Sequence, residues 1–307
     1  MICEILTPQQ AMAQQQNTVA AIGNLDGVHL GHQALVAEAK TLADRQGLPL
    51  VVVSFEPHPK RYFDPDSLPS RLSPAAHKAE LVAGLGVSAL INVPFTRDTA
   101  TMEAENFVSD LLVEQVGLRA LVAGPDFRFG KQRKGDLDMA NRLGLPAYSI
   151  EWQQMDDEII SSSRIRQALR QGDVTKAAKL LGRRYEVRGT VERGDQLGRT
   201  IGFPTANLET SSYCLPMDGI YAALSDLGDG VGPRPTALYV GKRPSVDGVM
   251  PRFEAHLLDF EDDIYGQELK VSLVSLVRGD LAPDGLDALK AQIERDCAAC
   301  RAVLMAS

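Results

Sequence analysis

Cysteine is scarce: Cys3, Cys214, Cys297 and Cys300 are the only four in 307 residues. So few exclude a disulfide-stapled scaffold in a chain this long. Long apolar runs are missing too, and none approaches the about 18 residues that cross a bilayer, so no membrane span is expected. The segment MICEILTPQQAMAQQQ has no basic start and no apolar stretch. A signal peptide is therefore not expected, and a cytoplasmic location is. Basic charge is in deficit, 32 Lys and Arg against 40 Asp and Glu, a net −8. A duplex binder usually carries a basic face, so nucleic acid is not the expected partner. A nucleotide stays open, because its phosphates need only a few well-placed donors. No internal repeat is visible, and Gln14 to Gln16 reads as a short polar linker. What is present is ordinary for a globular chain: 44% hydrophobic and 23% charged residues. At about 150 residues per domain, the length suggests two domains.

The first half alternates short apolar runs with helical patterns. Strands are predicted over Thr18 to Ile22, Leu48 to Ser54, Val87 to Val93, Arg119 to Ala123 and Ala147 to Trp152. Helices are predicted over Leu30 to Arg45, Pro74 to Ala83 and Glu103 to Gln115. Continuous apolar strands separated by helices imply a parallel sheet covered on both faces, with ligands at the carboxyl ends of its strands. After the helix Val174 to Leu181 the helical patterning stops. Tyr185 to Glu192, Gly219 to Leu224, Thr236 to Val240, Phe253 to Leu258 and Leu269 to Val277 read as strands of an antiparallel barrel or sandwich. One helix, Leu286 to Leu304, closes the chain. The expected domains are 1–182 and 183–307. Cys297 and Cys300 form a CxxC inside that last helix, with no second CxxC and no histidine nearby. They read as two small residues one turn apart rather than as a metal or redox pair.

Directly after the first apolar strand stands Gly23-Asn24-Leu25-Asp26-Gly27-Val28-His29-Leu30-Gly31-His32. A helix N-terminus offers unpaired N–H groups and a partial positive charge, which suit phosphate. Glycine lets the backbone come close, and imidazoles, neutral or charged, can donate to phosphate oxygens. Ser161 to Ser163 can cap a helix from Arg164 onward, and Arg164 and Arg166 bring charge. In Gly124-Pro125-Asp126-Phe127-Arg128-Phe129-Gly130, Asp126 and Arg128 read either as a surface pair or as part of a binding loop. Pro57 and Pro59 fix a turn around His58. In the second half, Gly194, Gly198 and Gly202 permit close approach to phosphate, while Thr205 and Asn207 offer neutral oxygens to a hard cation. Glu254 alternates with His256 and Leu258 on one face of a strand.

These segments together resemble the prokaryotic bifunctional riboflavin kinase/FAD synthetase family, from Ala20 to Arg301. His29 to His32 resembles the HxGH motif of nucleotidyltransferases. Residues 194–207 resemble the motif GxxxGRxxGFPTAN of riboflavin kinases. The resemblance implies a Rossmann-like nucleotidyltransferase domain with a parallel sheet, followed by an antiparallel β-barrel flavokinase domain with a terminal helix. It implies that riboflavin is phosphorylated to FMN in the second domain and FMN is adenylylated to FAD in the first. ATP and Mg²⁺ would serve both sites. In the first domain His29 and His32 would stabilise the transferring phosphorus. Gly23, Asn24, Gly31, His58, Asp126, Phe127 and Arg128 would line the site, and Ser161, Ser162, Ser163 and Arg166 would hold phosphates. In the second, Glu254 would be the general base, and Thr205 and Asn207 would hold Mg²⁺ and ATP phosphates. Gly194, Gly198, Arg199, Gly202 and Pro204 would shape the nucleotide loop, and Arg278 falls where the family contacts flavin.

The sequence departs from the family at Leu25 (usually Phe), Ser163 (often Thr), Tyr239 (often Asn), Ser245 (Thr) and after Arg278, around Ala282. These changes motivate an alternative, a monofunctional FMN adenylyltransferase whose barrel binds flavin without phosphorylating it. A flavin-binding regulator without catalysis is a second rival, opposed by the joint presence of His29, His32, Asn207 and Glu254. The expected partners are the small molecules riboflavin, FMN and ATP, with neither nucleic acid nor membrane, in a monomer or transient homo-oligomer.

Overall fold

The computed structural model describes residues 3–14, 17–64, 71–193, 201–245, 248–281 and 284–306, with only the backbone described for 60–61, 243–245 and 248–251. Its contacts divide into two units, Met1–Ser162 and Ser163–Ser307.

The first unit runs β1 (Glu4–Leu6), α1 (Pro8–Ala13), β2 (Thr18–Ile22), α2 (Leu30–Gln46), β3 (Leu50–Glu56), α3 (Pro59–Phe63), α4 (Ala75–Ala83) and β4 (Ala89–Pro94). There follow α5 (Arg97–Thr101), α6 (Ala104–Asn106), a π-helical stretch (Phe107–Gln115), β5 (Leu118–Ala123), α7 (Leu137–Arg142), β6 (Ala147–Ser149) and the small hairpin β7 (Gln154–Met155) and β8 (Glu158–Ile159). Six strands form one sheet in the order β1-β4-β3-β2-β5-β6, and every pair is parallel. All five residues of β2 are buried. Val19 and Ala21 face a core that includes Leu35 and Val36 of α2, while Ala20 and Ile22 face another that includes Leu111 and Leu112. Residues that alternate between two apolar faces need no polar alternation, which is why these strands read as unbroken apolar runs. From β2 the chain moves out through β3 to β4, then returns to the far side of β2 as β5. The reversal point therefore lies between β2 and β5, where open parallel sheets bind ligands at their carboxyl ends.

Three details differ from the sequence reading. β1 and α1 are ordered structure, set by a capping box in which Thr7 and Gln10 cap each other's backbone, with Pro8 opening the helix. The run Ala147 to Trp152 pairs only as far as Ser149. Of the expected helix Glu103 to Gln115, the nine residues Phe107–Gln115 are π-helical.

The second unit contains the rest of α8 (Ser162–Arg170), then α9 (Val174–Leu181), β9 (Glu186–Glu192), β10 (Ala206–Leu208), β11 (Gly219–Asp226), β12 (Arg234–Ser245), β13 (Gly248–Leu257), β14 (Glu268–Gly279) and α10 (Leu286–Met305). The strands close into a barrel in the order β10-β13-β12-β11-β14-β9, all pairs antiparallel. Tyr221, Leu238, Phe253 and Ala255 are buried in its interior. Outside, α10 lays Cys300 against Ala222, Ala237 and Leu258. α9 packs on β14, and the amide of Met217 donates to the Leu169 carbonyl at 2.9 Å. These contacts group α8 and α9 with the barrel, ahead of the point near residue 183 where helical patterning ends in the sequence.

Candidate active sites

In the first unit, β2 ends at Ile22 and the chain enters a turn held in sparsely populated backbone geometry: φ is +47° at Leu25, +83° at Gly27 and +41° at Val28. A left-handed β-branched residue persists only where its surroundings over-determine it, and here they do. The buried Asp26 carboxylate accepts from the amides of Leu72 at 3.0 Å and Ser73 at 3.1 Å. The Ser73 hydroxyl accepts from the Gly27 amide at 2.9 Å. The Ser162 hydroxyl donates to the Asp26 carbonyl at 2.8 Å. Lys78 of α4 donates to the Asn24 carbonyl at 2.7 Å and to the Ser54 hydroxyl at 3.0 Å, and that hydroxyl also donates to the Asn24 carbonyl.

His29 caps α2, its Nδ1 accepting from the His32 amide at 3.3 Å. With Nδ1 as acceptor, the neutral ring carries its proton on Nε2, which is left as the donor. The His29 and His32 rings stack at 3.6 Å, 17° from parallel. A Cβ at Gly31 would lie 3.2 Å from the His29 ring, so glycine there keeps the stack uncrowded. Burial holds the His32 imidazole well below its ordinary pKa, and the neighbouring His29 and Lys78 push in the same direction. His32 is thus neutral near pH 7. The helix terminus and Lys78 supply the positive field, although burial has pushed the lysine down to about 8.

Two polar atoms here are buried with no partner in the protein: Asn24 Oδ1 and His32 Nδ1. Buried polar groups are otherwise nearly always paired, so these two mark where a polar ligand fits. Gly23 donates its amide to the Val53 carbonyl at 3.0 Å, which seats the turn at the sheet's carboxyl end. His58 is half-buried between β3 and α3. After β5, Asp126 and Arg128 are exposed and do not pair; Arg128 donates to the Phe127 carbonyl at 2.9 Å. Phe129 is in the core beside Phe107, and Phe127 is half-buried against it. Among the serines, Ser161 and Ser162 are half-buried and Ser163 is exposed. The helix begins at Ser162, two residues earlier than expected, so Ser162 and Ser163 lie in its first turn. Arg166 is half-buried on α8 in the second unit.

In the barrel, strand register assembles the second site. Glu254 on β13 lies opposite Asn207 on β10 and opposite Tyr239 on β12. Tyr239 lies opposite Ile220, and Ile220 opposite Arg278 on β14. Directly opposed residues share a face, so Asn207, Glu254, Tyr239, Ile220 and Arg278 form one row around the barrel's outer face. The neighbouring positions Ala255, Leu238 and Tyr221 point inward. Glu254 lies 3.5 Å from Arg252. His256, two residues along the strand, holds the segment ahead of β10: its Nδ1 is 2.7 Å from the Pro204 carbonyl and its ring meets Phe203 edge-on. Thr205 is half-buried just ahead of β10, and Gly202 is exposed. Gly194, Gly198 and Arg199 lie outside the described residues, as do Ala282 and the side chain of Ser245. Arg278 is engaged within the protein, giving Nε to Asp296 Oδ1 at 2.8 Å and Nη2 to Oδ2 at 2.6 Å. The Tyr239 ring lies over Gly241, where its hydroxyl occupies the space a Cβ would need.

Among the described residues no group of three or more His, Cys, Asp or Glu could hold a metal. A magnesium ion that keeps its waters and binds mainly through nucleotide phosphates needs only the kind of oxygen donors that Thr205 and Asn207 provide, with Glu254 opposite. Cys297 and Cys300 are free thiols pushed up to about 11 and about 12 by burial, with Cys300 donating to the Tyr221 carbonyl. Among the described residues no helix is long and apolar enough to cross a membrane.

Sequence reasoning missed Asp26, Ser73, Lys78, His256 and Asp296. Asp26 and His256 stand inside segments that the sequence singles out, without a role of their own there, and Lys78 stands four residues before Val82, on the buried face of an amphipathic helix.

Two family models match the chain: FAD synthetase over residues 11–166 and riboflavin kinase over residues 181–304. The bifunctional riboflavin kinase/FMN adenylyltransferase of Escherichia coli (strain K12) is 40% identical over 93% of this chain and 92% of its own. That of Bacillus subtilis (strain 168) is 35% identical over 92% and 91%. A solved structure described as a macrolide-efflux protein from Streptococcus pneumoniae superposes with a TM-score of 0.86 at 31% identity, covering 98% of this chain and 99% of its own. What it contributes is the shared fold of the whole chain. Because the kinase model matches alongside the synthetase model, the bifunctional reading stands over the monofunctional one.

Proposed function

Since this chain belongs to the family of bifunctional riboflavin kinase/FMN adenylyltransferases, we propose how its residues divide the two reactions. The protein phosphorylates riboflavin to FMN and adenylylates FMN to FAD, with ATP as the second substrate. The kinase activity is assigned to residues 183–307 and the adenylyl transfer to residues 1–182.

In the barrel, Glu254 accepts the proton of the ribityl 5′-hydroxyl as that oxygen bonds to the γ-phosphorus of ATP, and ADP leaves. Thr205 and Asn207 hold Mg²⁺ together with ATP phosphates. When bound, the ion neutralises phosphate charge. Gly194, Gly198, Arg199, Gly202 and Pro204 shape the nucleotide loop, which His256 fastens through Pro204. Arg278 borders the flavin while Asp296 fixes its direction.

In residues 1–182, an FMN phosphate oxygen bonds to the α-phosphorus of ATP, and the bond to the β-phosphate breaks to release pyrophosphate. No covalent protein intermediate is required, so catalysis rests on positioning and charge stabilisation. The Nε2–H of His29 and the neutral ring of His32 donate to the transferring phosphoryl oxygens. Gly23, Asn24 and Gly31 bring the backbone close to the phosphates. His58, Asp126, Phe127 and Arg128 border the nucleotide, and Ser161, Ser162, Ser163 and Arg166 hold the leaving pyrophosphate. A cytoplasmic location goes with a chain that consumes ATP twice, and we assign it no nucleic-acid partner and a monomeric or transiently homo-oligomeric state.

The observation that carries this division is that each unit holds its own cluster: a strained turn with two unpartnered buried polar atoms in one, the Asn207–Glu254 row in the other. Product analysis after incubation with riboflavin, ATP and Mg²⁺ tests it. Glu254→Gln is expected to lower FMN formation by about 10²–10⁴-fold and to leave FAD formation from supplied FMN intact. His32→Ala is expected to do the reverse. Loss of both activities in either folded variant refutes the division.

A further inference from the structure

Lysine is almost never fully buried without a paired charge, yet Lys78 is only 5% exposed and its two acceptors, the Asn24 carbonyl and the Ser54 hydroxyl, are both neutral. These acceptors sit at the carboxyl ends of two neighbouring strands: Asn24 just past β2, and Ser54 in β3. One ammonium therefore ties the turn carrying His29 and His32 to the adjacent strand end. The turn has left-handed φ at three positions and cannot hold that shape alone. Its other ties run through the Asp26 carboxylate, the Ser73 hydroxyl and the Ser162 hydroxyl. Lys78, directly and through the Ser54 hydroxyl that it also holds, grips the residue whose own side-chain oxygen, Asn24 Oδ1, is left buried without a partner.

We propose that Lys78 is a positioning residue for adenylyl transfer: its ammonium fixes the backbone of Asn24, and through it the phosphate-facing turn, while placing a positive charge behind that turn. The inference rests on the assignment of adenylyl transfer to the first unit. The charge has a limited range of pH. Burial lowers the Lys78 ammonium from 10.5 to about 8, with Asp26 opposing the shift and Arg71 adding to it. His32, on α2, faces the same ammonium and is itself lowered by it. Arg71 is engaged with Glu56. Positive charge is present below about pH 8 and lost above it, so adenylyl transfer declines through that range.

The test measures FAD formation from supplied FMN and FMN formation from riboflavin on the same preparations of wild type, Lys78→Met and Lys78→Arg. Lys78→Met is expected to lower kcat for FAD formation by about 10- to 100-fold, the loss that a small misplacement of reacting groups produces. KM for ATP and FMN should change by less than about threefold, since the residue acts on the turn and not on ground-state binding. FMN formation is unchanged. Lys78→Arg recovers most of kcat and abolishes the decline of kcat/KM above about pH 8, because guanidinium keeps its charge. Unchanged kcat in Lys78→Met, or equal losses in the methionine and arginine variants, overturns the proposal. If the methionine variant fails to fold, the wild-type profile decides: a decline of kcat/KM centred near about pH 8 supports the role, and a flat profile overturns it. Wild type that makes no FAD at all refutes instead the underlying assignment of adenylyl transfer.

Discussion

Replacing Asp296 with alanine leaves the Arg278 guanidinium against the barrel without its counter-charge. The side chains are 7% and 22% exposed, and two charge-assisted bonds of 2.8 and 2.6 Å join them. Gln292 adds a third donor to the same carboxylate at 2.8 Å. Breaking a fully buried pair costs about 3–5 kcal/mol. Arg278 keeps some access to water and a bond to the Gly279 carbonyl, which moves the expected cost to the lower end, about 3 kcal/mol. With about 2 kcal/mol per molar urea, the unfolding midpoint of the barrel unit falls by roughly 1.5 M. Its Tm falls by about 6–12 °C. Because the freed arginine loses its fixed direction, KM for riboflavin rises, while FAD formation from supplied FMN is untouched. Asp296→Asn keeps an acceptor oxygen and loses less on both counts. Urea denaturation followed by the single Trp152 is unsuitable, since that residue belongs to the other unit; circular dichroism and scanning calorimetry suit the purpose. A midpoint and a riboflavin KM both equal to wild type would refute the reasoning, because a bidentate pair so little exposed cannot be lost without consequence.

Further outcomes follow from the titrating groups. His32 has its folded pKa below the unfolded value of about 6.5, so it lends stability above that value and withdraws it as pH falls toward the folded pKa. Its ring resonances should stay at the neutral position from about pH 8 down to about 6, and movement in that range contradicts the burial argument. The raised thiols of Cys297 and Cys300 predict slow alkylation near neutral pH and no bound zinc after dialysis. Rapid labelling of either cysteine, or one zinc per chain, counts against the reading of that CxxC as helix packing.

The sheet was legible in the sequence because β2, β3, β4 and β5 are buried on both faces, and such strands are uninterrupted apolar runs. Most turn motifs were legible because glycine, histidine and proline punctuate the strand ends. Residues whose role depends on distant partners were not. Nothing near Asp26 announces that its carboxylate accepts from Leu72 and Ser73, forty-six residues away and more. β10 is three residues long and exists only because β9 and β13 pair with it. The β12–β13 ladder outruns the apolar segments Thr236 to Val240 and Phe253 to Leu258, since backbone pairing continues through polar and proline residues as far as Ser245 and Gly248. At the departure Tyr239, the ring covers Gly241 within the same strand.

The closed barrel and the two short outer strands of the sheet have a consequence for behaviour at high concentration. Unpaired strand edges are the templates on which chains join into fibrils. The barrel closes on itself, and the six-stranded sheet ends on one side in β1 and on the other in β6, each three residues long and largely solvated. The six-stranded sheet therefore offers a joining chain only three residues of backbone at either edge, too short a template for a stable added strand.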